Sequence, residues 1–177
     1  MCIRDRSNIM MTARLRDGDT ILFHGGGGGI GIFGIQLAKA LGATVAVTAG
    51  SEEKLHVCRQ YGADILINYK EEDFAEVLTA HGGANVILDI IGAKYLDQNI
   101  KALAPDGHIV IIGMQGGVKG ELNIAKLLNK RGNISATGLR YRDNQDKARI
   151  VAETLRNVWP LLENGETTHH IYRIVPI

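Results

Sequence analysis

The chain has 177 residues, 45% of them hydrophobic and 22% charged, which suits one soluble globular domain with a good core. Twenty Lys and Arg stand against 19 Asp and Glu, a net charge of +1 with no basic block, so electrostatics point neither to nucleic acid nor to an anionic membrane surface. No apolar run approaches the roughly 20 residues of a membrane span and no signal-peptide run opens the chain, so a cytoplasmic protein is expected. Cys2 and Cys58 lie far apart, outside any CxxC or His-rich spacing, so neither a disulfide framework nor a metal site is expected, and Cys58 reads as helix packing.

The first six residues, MCIRDR, join no periodic pattern and are set aside from the fold as a non-native scar. Residues 7–19 (SNIMMTARLRDGD) read as a short helix closed by Asp17, Gly18 and Asp19. TILFH (20–24) is short, apolar and β-branched, as a buried strand should be. Apolar residues then recur at helical spacing over 30–41, and Gly42 supplies a stop. The alternation continues with strand 44–49, helix 51–62 capped by Ser51, strand 64–68, helix 71–83, strand 86–90, helix 93–107, strand 108–113, helix 122–132 and strand 134–139. Six strands joined by helical crossovers predict an α/β fold, a Rossmann-type doubly wound six-stranded parallel sheet with helices on both faces. Residues 143–165 predict one amphipathic helix with Ile150, Val151, Leu155, Val158 and Trp159 on one side, and a further strand begins at Ile171.

Five glycines, 25–29, fall between the first strand and its helix. A helix N-terminus carries unpaired N–H groups and partial positive charge, and glycine lets phosphate oxygens approach that backbone, so the turn is built for an anion. GxGxxG fits at Gly26, Gly28 and Gly31, and also at Gly29, Gly31 and Gly34. The first register is preferred because its glycines fall in the turn, which leaves Gly34 for packing against the strand. Where an NAD-binding fold places an acid on the adenosine ribose, this chain has Gly50. Gly50 leaves space for a 2′-phosphate, Ser51 offers a hydroxyl and Lys54 a charge, which favours NADPH over NADH. The plainer alternative makes Ser51 only a helix cap and Lys54 only a solvated residue, and Glu52 and Glu53 weigh against the phosphate.

The strings HGGGGGIGIFGIQLAKALGA, TAGSEEK, INYKEEDF, VILDIIG and LAPDGHIVIIG, in this order, resemble the zinc-independent medium-chain dehydrogenase/reductase superfamily, in particular its zeta-crystallin-like NADPH:quinone oxidoreductases. The resemblance runs from about Ser7 to the C-terminus. It implies that Gly28, Gly29, Ile30 and Gly31 hold the pyrophosphate, that Gly50, Ser51 and Lys54 face the 2′-phosphate, and that Tyr69 lies by the adenosine. It further implies that Gly113 and Met114, with Thr137, Gly138 and Leu139, flank the nicotinamide and its ribose. Asp89 and Ile91 are left as pocket lining, His24 as a strand residue, and His169 with His170 as lacking a third metal ligand.

Family members carry a GroES-like catalytic lobe ahead of this domain. Residues 7–165 are accordingly expected to be the NADP-binding Rossmann domain, with 166–177 starting the return to a lobe this chain lacks. Zinc-dependent relatives place a cysteine ligand shortly before the glycine turn, and residues 7–19 hold none. The implied activity is hydride transfer from NADPH to a small-molecule quinone or enone, with no residue assigned as catalytic because the cofactor supplies the chemistry. Two alternatives stand beside it: a non-catalytic NADPH-binding module, and an enoyl or alkenal reductase of the same superfamily. A short-chain dehydrogenase is disfavoured because no Tyr is followed four residues later by Lys, and a methyltransferase because no acid ends the second strand. Strand six is expected at a sheet edge that pairs across a homodimer.

Overall fold

The computed structural model describes residues 2–171 and residue 175. Six strands form one all-parallel sheet: β1 (Thr20–His24), β2 (Thr44–Ala49), β3 (Ile65–Asn68), β4 (Ala84–Asp89), β5 (Leu103–Ile111) and β6 (Asn133–Ala136). Their order across the sheet is β3-β2-β1-β4-β5-β6. The sheet winds outward both ways from β1, so the doubly wound expectation holds, and the order reverses between β1 and β4. In such sheets the crevice at that reversal, beyond the carboxyl ends of the strands, is where ligands bind.

Helices cover both faces, which explains why the strands read as continuous apolar runs rather than alternating ones. On one face Ile21, Phe23, Val45, Val47, Val86 and Leu88 pack with Ile32, Ile35 and Leu37 of α2 (Gly29–Ala40) and Leu55 and Cys58 of α3 (Glu52–Gln60). On the other, Leu22, Ala46, Ile67, Ile87 and Ile109 pack with Phe74 and Leu78 of α4 (Phe74–Ala80) and Ile100 of α5 (Leu96–Ala102). Fully burying each large apolar side chain contributes about 1.5–3 kcal/mol. Cys58 is a packing residue, and burial pushes its thiol up to about 11.

Three expectations are corrected. The helix over 93–107 stops at Ala102 and β5 starts at once, because Pro105 disfavours helical backbone at Ala104, and the extra strand residues are absorbed by a register shift against β4. The single tail helix is two, α7 (Asn144–Asn157) and α8 (Trp159–Glu163), with α6 (Ile124–Lys130) before them; Pro160 cannot donate to an interior helical ladder and sits in the first turn of α8 instead. The tail's buried stripe is Ile150, Thr154 and Val158, while Val151, Leu155 and Trp159 remain substantially exposed. Finally, the residues set aside from the fold lie in part within it. Cys2–Arg6 form a helix, α1, continued by a π-helical turn over Ser7–Thr12, and Arg6 Nη2 donates to Glu153 Oε2 of α7 at 2.7 Å. The strand expected from Ile171 falls mostly outside the described residues.

Candidate functional site

The glycine turn is built from β1, β2 and α2. Gly25 turns the chain with φ +71°, and two successive turn amides dock on Thr48 at the end of β2: Gly25 N–H on its hydroxyl at 3.3 Å and Gly26 N–H on its carbonyl at 3.0 Å. Gly28 is the N-cap of α2 in extended backbone, and its carbonyl accepts from Ile32 at 2.9 Å. The amides of Gly29, Ile30 and Gly31 form the first turn of α2, whose N–H groups have no partner within a helix, and Gly29 lines a cavity of about 330 Å³ with Gly27, Ile32, Phe33 and Thr168.

Steric demands separate the glycines. A Cβ on Gly31 would lie 2.3 Å from the carbonyl oxygen of Gly26, and one on Gly34 would lie 2.5 Å from the ring of Phe23. Gly28 has only one neighbour, Gly25 O at 3.4 Å, so its outer side is open to a ligand. The preferred register therefore has an open middle glycine and a third glycine forced by helix packing, while Gly34 packs on β1 as expected.

At the end of β2 a Cβ on Gly50 would lie 2.5 Å from the phenol oxygen of Tyr69. The space expected beside Gly50 is thus occupied by that phenol, the far end of a half-exposed side chain. Ser51 caps α3, its hydroxyl accepting from Lys54 N–H at 3.4 Å. That is the plainer role weighed from the sequence, and it leaves the hydroxyl proton free to donate. Lys54 is exposed, and its Cβ lies 3.1 Å from where a Cβ of Gly27 would stand, so its stem crosses the turn. Glu52 accepts from Asn68 Nδ2 at 3.5 Å, away from the turn.

Gly25, Thr48, Tyr69, Ile90, Ile91 and Tyr95 line a concavity of about 330 Å³ that Lys94, Gln115 and Gly116 complete. Thr48, Lys94, Tyr95 and Gln115 were missed from the sequence; their signal was position, at carboxyl ends of strands or in the turns just after them. Gly113 packs on the backbone of Ile90, whereas Met114 is 64% exposed and outside this concavity. Thr137, Gly138 and Leu139 line a separate cavity of about 240 Å³ with Arg4, Ser7, Asn8 and Ile112. Thr137 Oγ1 donates to Asn8 Oδ1 at 2.5 Å. Of the residues expected at the adenosine end, Tyr69 lines the first concavity and meets Gly50, while the Lys54 stem lies over Gly27; those expected at the nicotinamide are not brought into the same cavity.

Asp89 is buried beneath the concavity rather than lining it, and accepts from Ile91 N–H at 2.6 Å and Gly92 N–H at 3.1 Å. His24 is a buried strand residue, and burial holds its imidazole below the usual pKa against the opposing Asn99 hydrogen bond and Asp89 charge. His169 stacks on Phe33 and His170 bonds the Tyr61 hydroxyl at 3.0 Å. Among the described residues no three His, Cys, Asp or Glu side chains come together as a metal-ligand group, and no helix is long and apolar enough to cross a membrane.

The zinc-binding dehydrogenase family model matches residues 29–161. The chain is 34% identical over 164 residues to a quinone oxidoreductase of Pseudomonas aeruginosa, covering 89% of this chain and 49% of that protein. It is 35% identical over 129 residues to a 2-haloacrylate reductase of a Burkholderia species, covering 71% and 39%. Among solved structures, Escherichia coli quinone oxidoreductase complexed with NADPH superposes with a TM-score of 0.83 at 25% identity, over 96% of this chain and 53% of that one. The chain therefore spans about half the length of the relatives it matches. From the glycine turn to α8 it belongs to the zinc-binding dehydrogenase family, within the medium-chain dehydrogenase/reductase superfamily, beside its quinone oxidoreductases.

Proposed function

We propose that the chain is the cofactor-binding half of an NADPH-dependent oxidoreductase that transfers hydride to a quinone or a conjugated carbonyl. The observation that carries this is the open Gly28 at the N-terminus of α2, with the Lys54 stem across the turn and no acid at Gly50. The residues fit the group: Gly28, Gly29, Ile30 and Gly31 would hold the pyrophosphate, and Gly26 lets the turn pass close to Val47. Ser51 and Lys54 would face the 2′-phosphate across Gly50, and Tyr69 would lie by the adenosine. Gly113, Met114, Thr137, Gly138 and Leu139 would flank the nicotinamide and its ribose.

NADPH, when bound, supplies the hydride, so this chain's residues need only bind, orient and exclude water. The turn amides and Lys54 would fix the phosphates while the concavity walled by Tyr69 and Tyr95 would take the flat adenine ring. No nucleophile is required and none is assigned. The proposed site uses no zinc, in keeping with the lack of a cysteine in residues 7–19 ahead of the glycine turn. The 2-haloacrylate reductase relative favours a conjugated acceptor as the second reading of the substrate. A cytoplasmic setting and a homodimer through the exposed edge strand β6 complete the proposal; a monomeric mass in light scattering overturns the dimer.

Calorimetric titration with NADPH and, separately, NADH tests the reading. Tight binding of NADPH with much weaker NADH is expected. Equal affinities would remove the 2′-phosphate assignment, and binding of neither would remove the dinucleotide site from this chain.

A further inference from the structure

We propose that Thr48, His24, Asn99 and Asp89 are positioning residues that lock the glycine turn to the loop after β4 through one directional hydrogen-bond chain. The proposal rests on the dinucleotide reading above and names what holds the two walls of that site at a fixed separation. His24 Nδ1 lies 3.1 Å from Thr48 Oγ1, His24 Nε2 lies 2.7 Å from Asn99 Oδ1, and Asn99 Nδ2 donates to Asp89 Oδ2 at 3.1 Å. The chain ends at Gly25 N–H on one side and at the N–H groups of Ile91 and Gly92 on the other. Gly25 and Ile91 both line the concavity, and so does Tyr95, whose ring centroid is 5.0 Å from that of His24.

Donor and acceptor inventory fixes the direction. The Asp89 side chain accepts, so the Asn99 amide nitrogen faces it and the Asn99 oxygen faces His24. His24 Nε2 must then carry the proton, which leaves Nδ1 of the neutral ring as an acceptor for the Thr48 hydroxyl. That hydroxyl, having donated, still accepts from Gly25 N–H. None of the four side chains has a buried polar atom without a partner. An apolar cluster would fill the same space without the desolvation cost, so what the chain adds is a single geometry across β1, β2, β4 and α5.

The test uses the full chain and NADPH as probe, with Thr48→Val, Asn99→Leu and the double variant, and Leu78→Ala as a control that opens a cavity in the core beside α4. Each single variant is expected to raise the NADPH Kd about tenfold, and the double variant also about tenfold rather than a hundredfold, because either break uncouples the same two walls. Leu78→Ala is expected to lower the melting temperature while leaving the Kd within about twofold. Single variants that bind like the original chain, or a double variant with fully additive loss, overturn the proposal. If the original chain binds no NADPH, the functional reading fails by itself. Amide hydrogen exchange then decides the inference: Asn99→Leu should deprotect Gly25, a residue it does not touch, and an unchanged Gly25 amide overturns the lock.

Discussion

Two regions of this molecule handle buried polar groups in opposite ways. Between Gly25 and Asp89 the Thr48, His24 and Asn99 side chains are all paired, and the loops they join define a concavity. Around α1, α7 and the segment after α8, the buried atoms without a partner accumulate: both Asp5 carboxyl oxygens, Nε and Nη1 of Arg6, and the Thr167 hydroxyl. Burying such a group costs of order 1–3 kcal/mol when no partner replaces water. Buried polar pairing is therefore complete beside the concavity, while the α1 side, which faces the Thr137–Leu139 cavity, is held by packing and by Arg6–Glu153.

The largest expected effect sharpens this contrast from its weaker side. Burial raises the Asp5 carboxyl from 3.8 to about 7, against the pull of the nearby positive charge that includes Arg4. A carboxyl raised in the folded state binds its proton more tightly there than in the unfolded chain. Its contribution is fully present below pH 4 and is lost as the pH rises through 7. Asp5→Asn should therefore gain up to about 4 kcal/mol in urea unfolding at pH 8 and little near pH 4. Equal gains at both pH values would show that the carboxyl ionises freely. On the stronger side, Gly31→Ala drives a methyl into the Gly26 carbonyl and should cost about 3 kcal/mol with loss of NADPH binding. A stable Gly31→Ala chain that still titrates would break the claim that the turn is sterically fixed.

Legibility followed the same divide. Strand and helix order could be read because each βα unit carries its own punctuation, such as Ser51 and Gly42, and because both faces of the sheet are covered. The place of the glycine turn could be read because strand and helix flank it. The start of β5 and the break at Pro160 were legible in principle through proline, but long apolar periodicity masked them. Residues 2–6 show no periodicity over so short a span, and only long-range contacts such as Arg6–Glu153 bring them into the fold. Lys94, Tyr95 and Gln115 carried only a positional signal, because whether they reach the concavity depends on how two loops meet, with Gly116 N–H on Ile91 O at 2.7 Å. The contact of the Tyr69 phenol with Gly50 was likewise hidden, since Tyr69 reaches it from a neighbouring strand end.

The smallest expected effect lies where the two readings of Lys54 meet. Its stem crosses Gly27, so removing the whole side chain disturbs the turn as well as the charge. Lys54→Met keeps a stem of similar reach and removes only the ammonium. If the charge faces a 2′-phosphate, Lys54→Met should raise the NADPH Kd about tenfold and change NADH by less than about twofold. Lys54→Ala should add a further, smaller loss common to both dinucleotides, because the turn has lost the stem that packs on it. The two titrations thus divide one side chain into an electrostatic part that discriminates and a packing part that does not. Equal losses for NADPH and NADH in Lys54→Met would assign the residue to packing alone. The lack of an acid at Gly50 and the Ser51 hydroxyl would then be the features between β2 and α3 left to favour a phosphate.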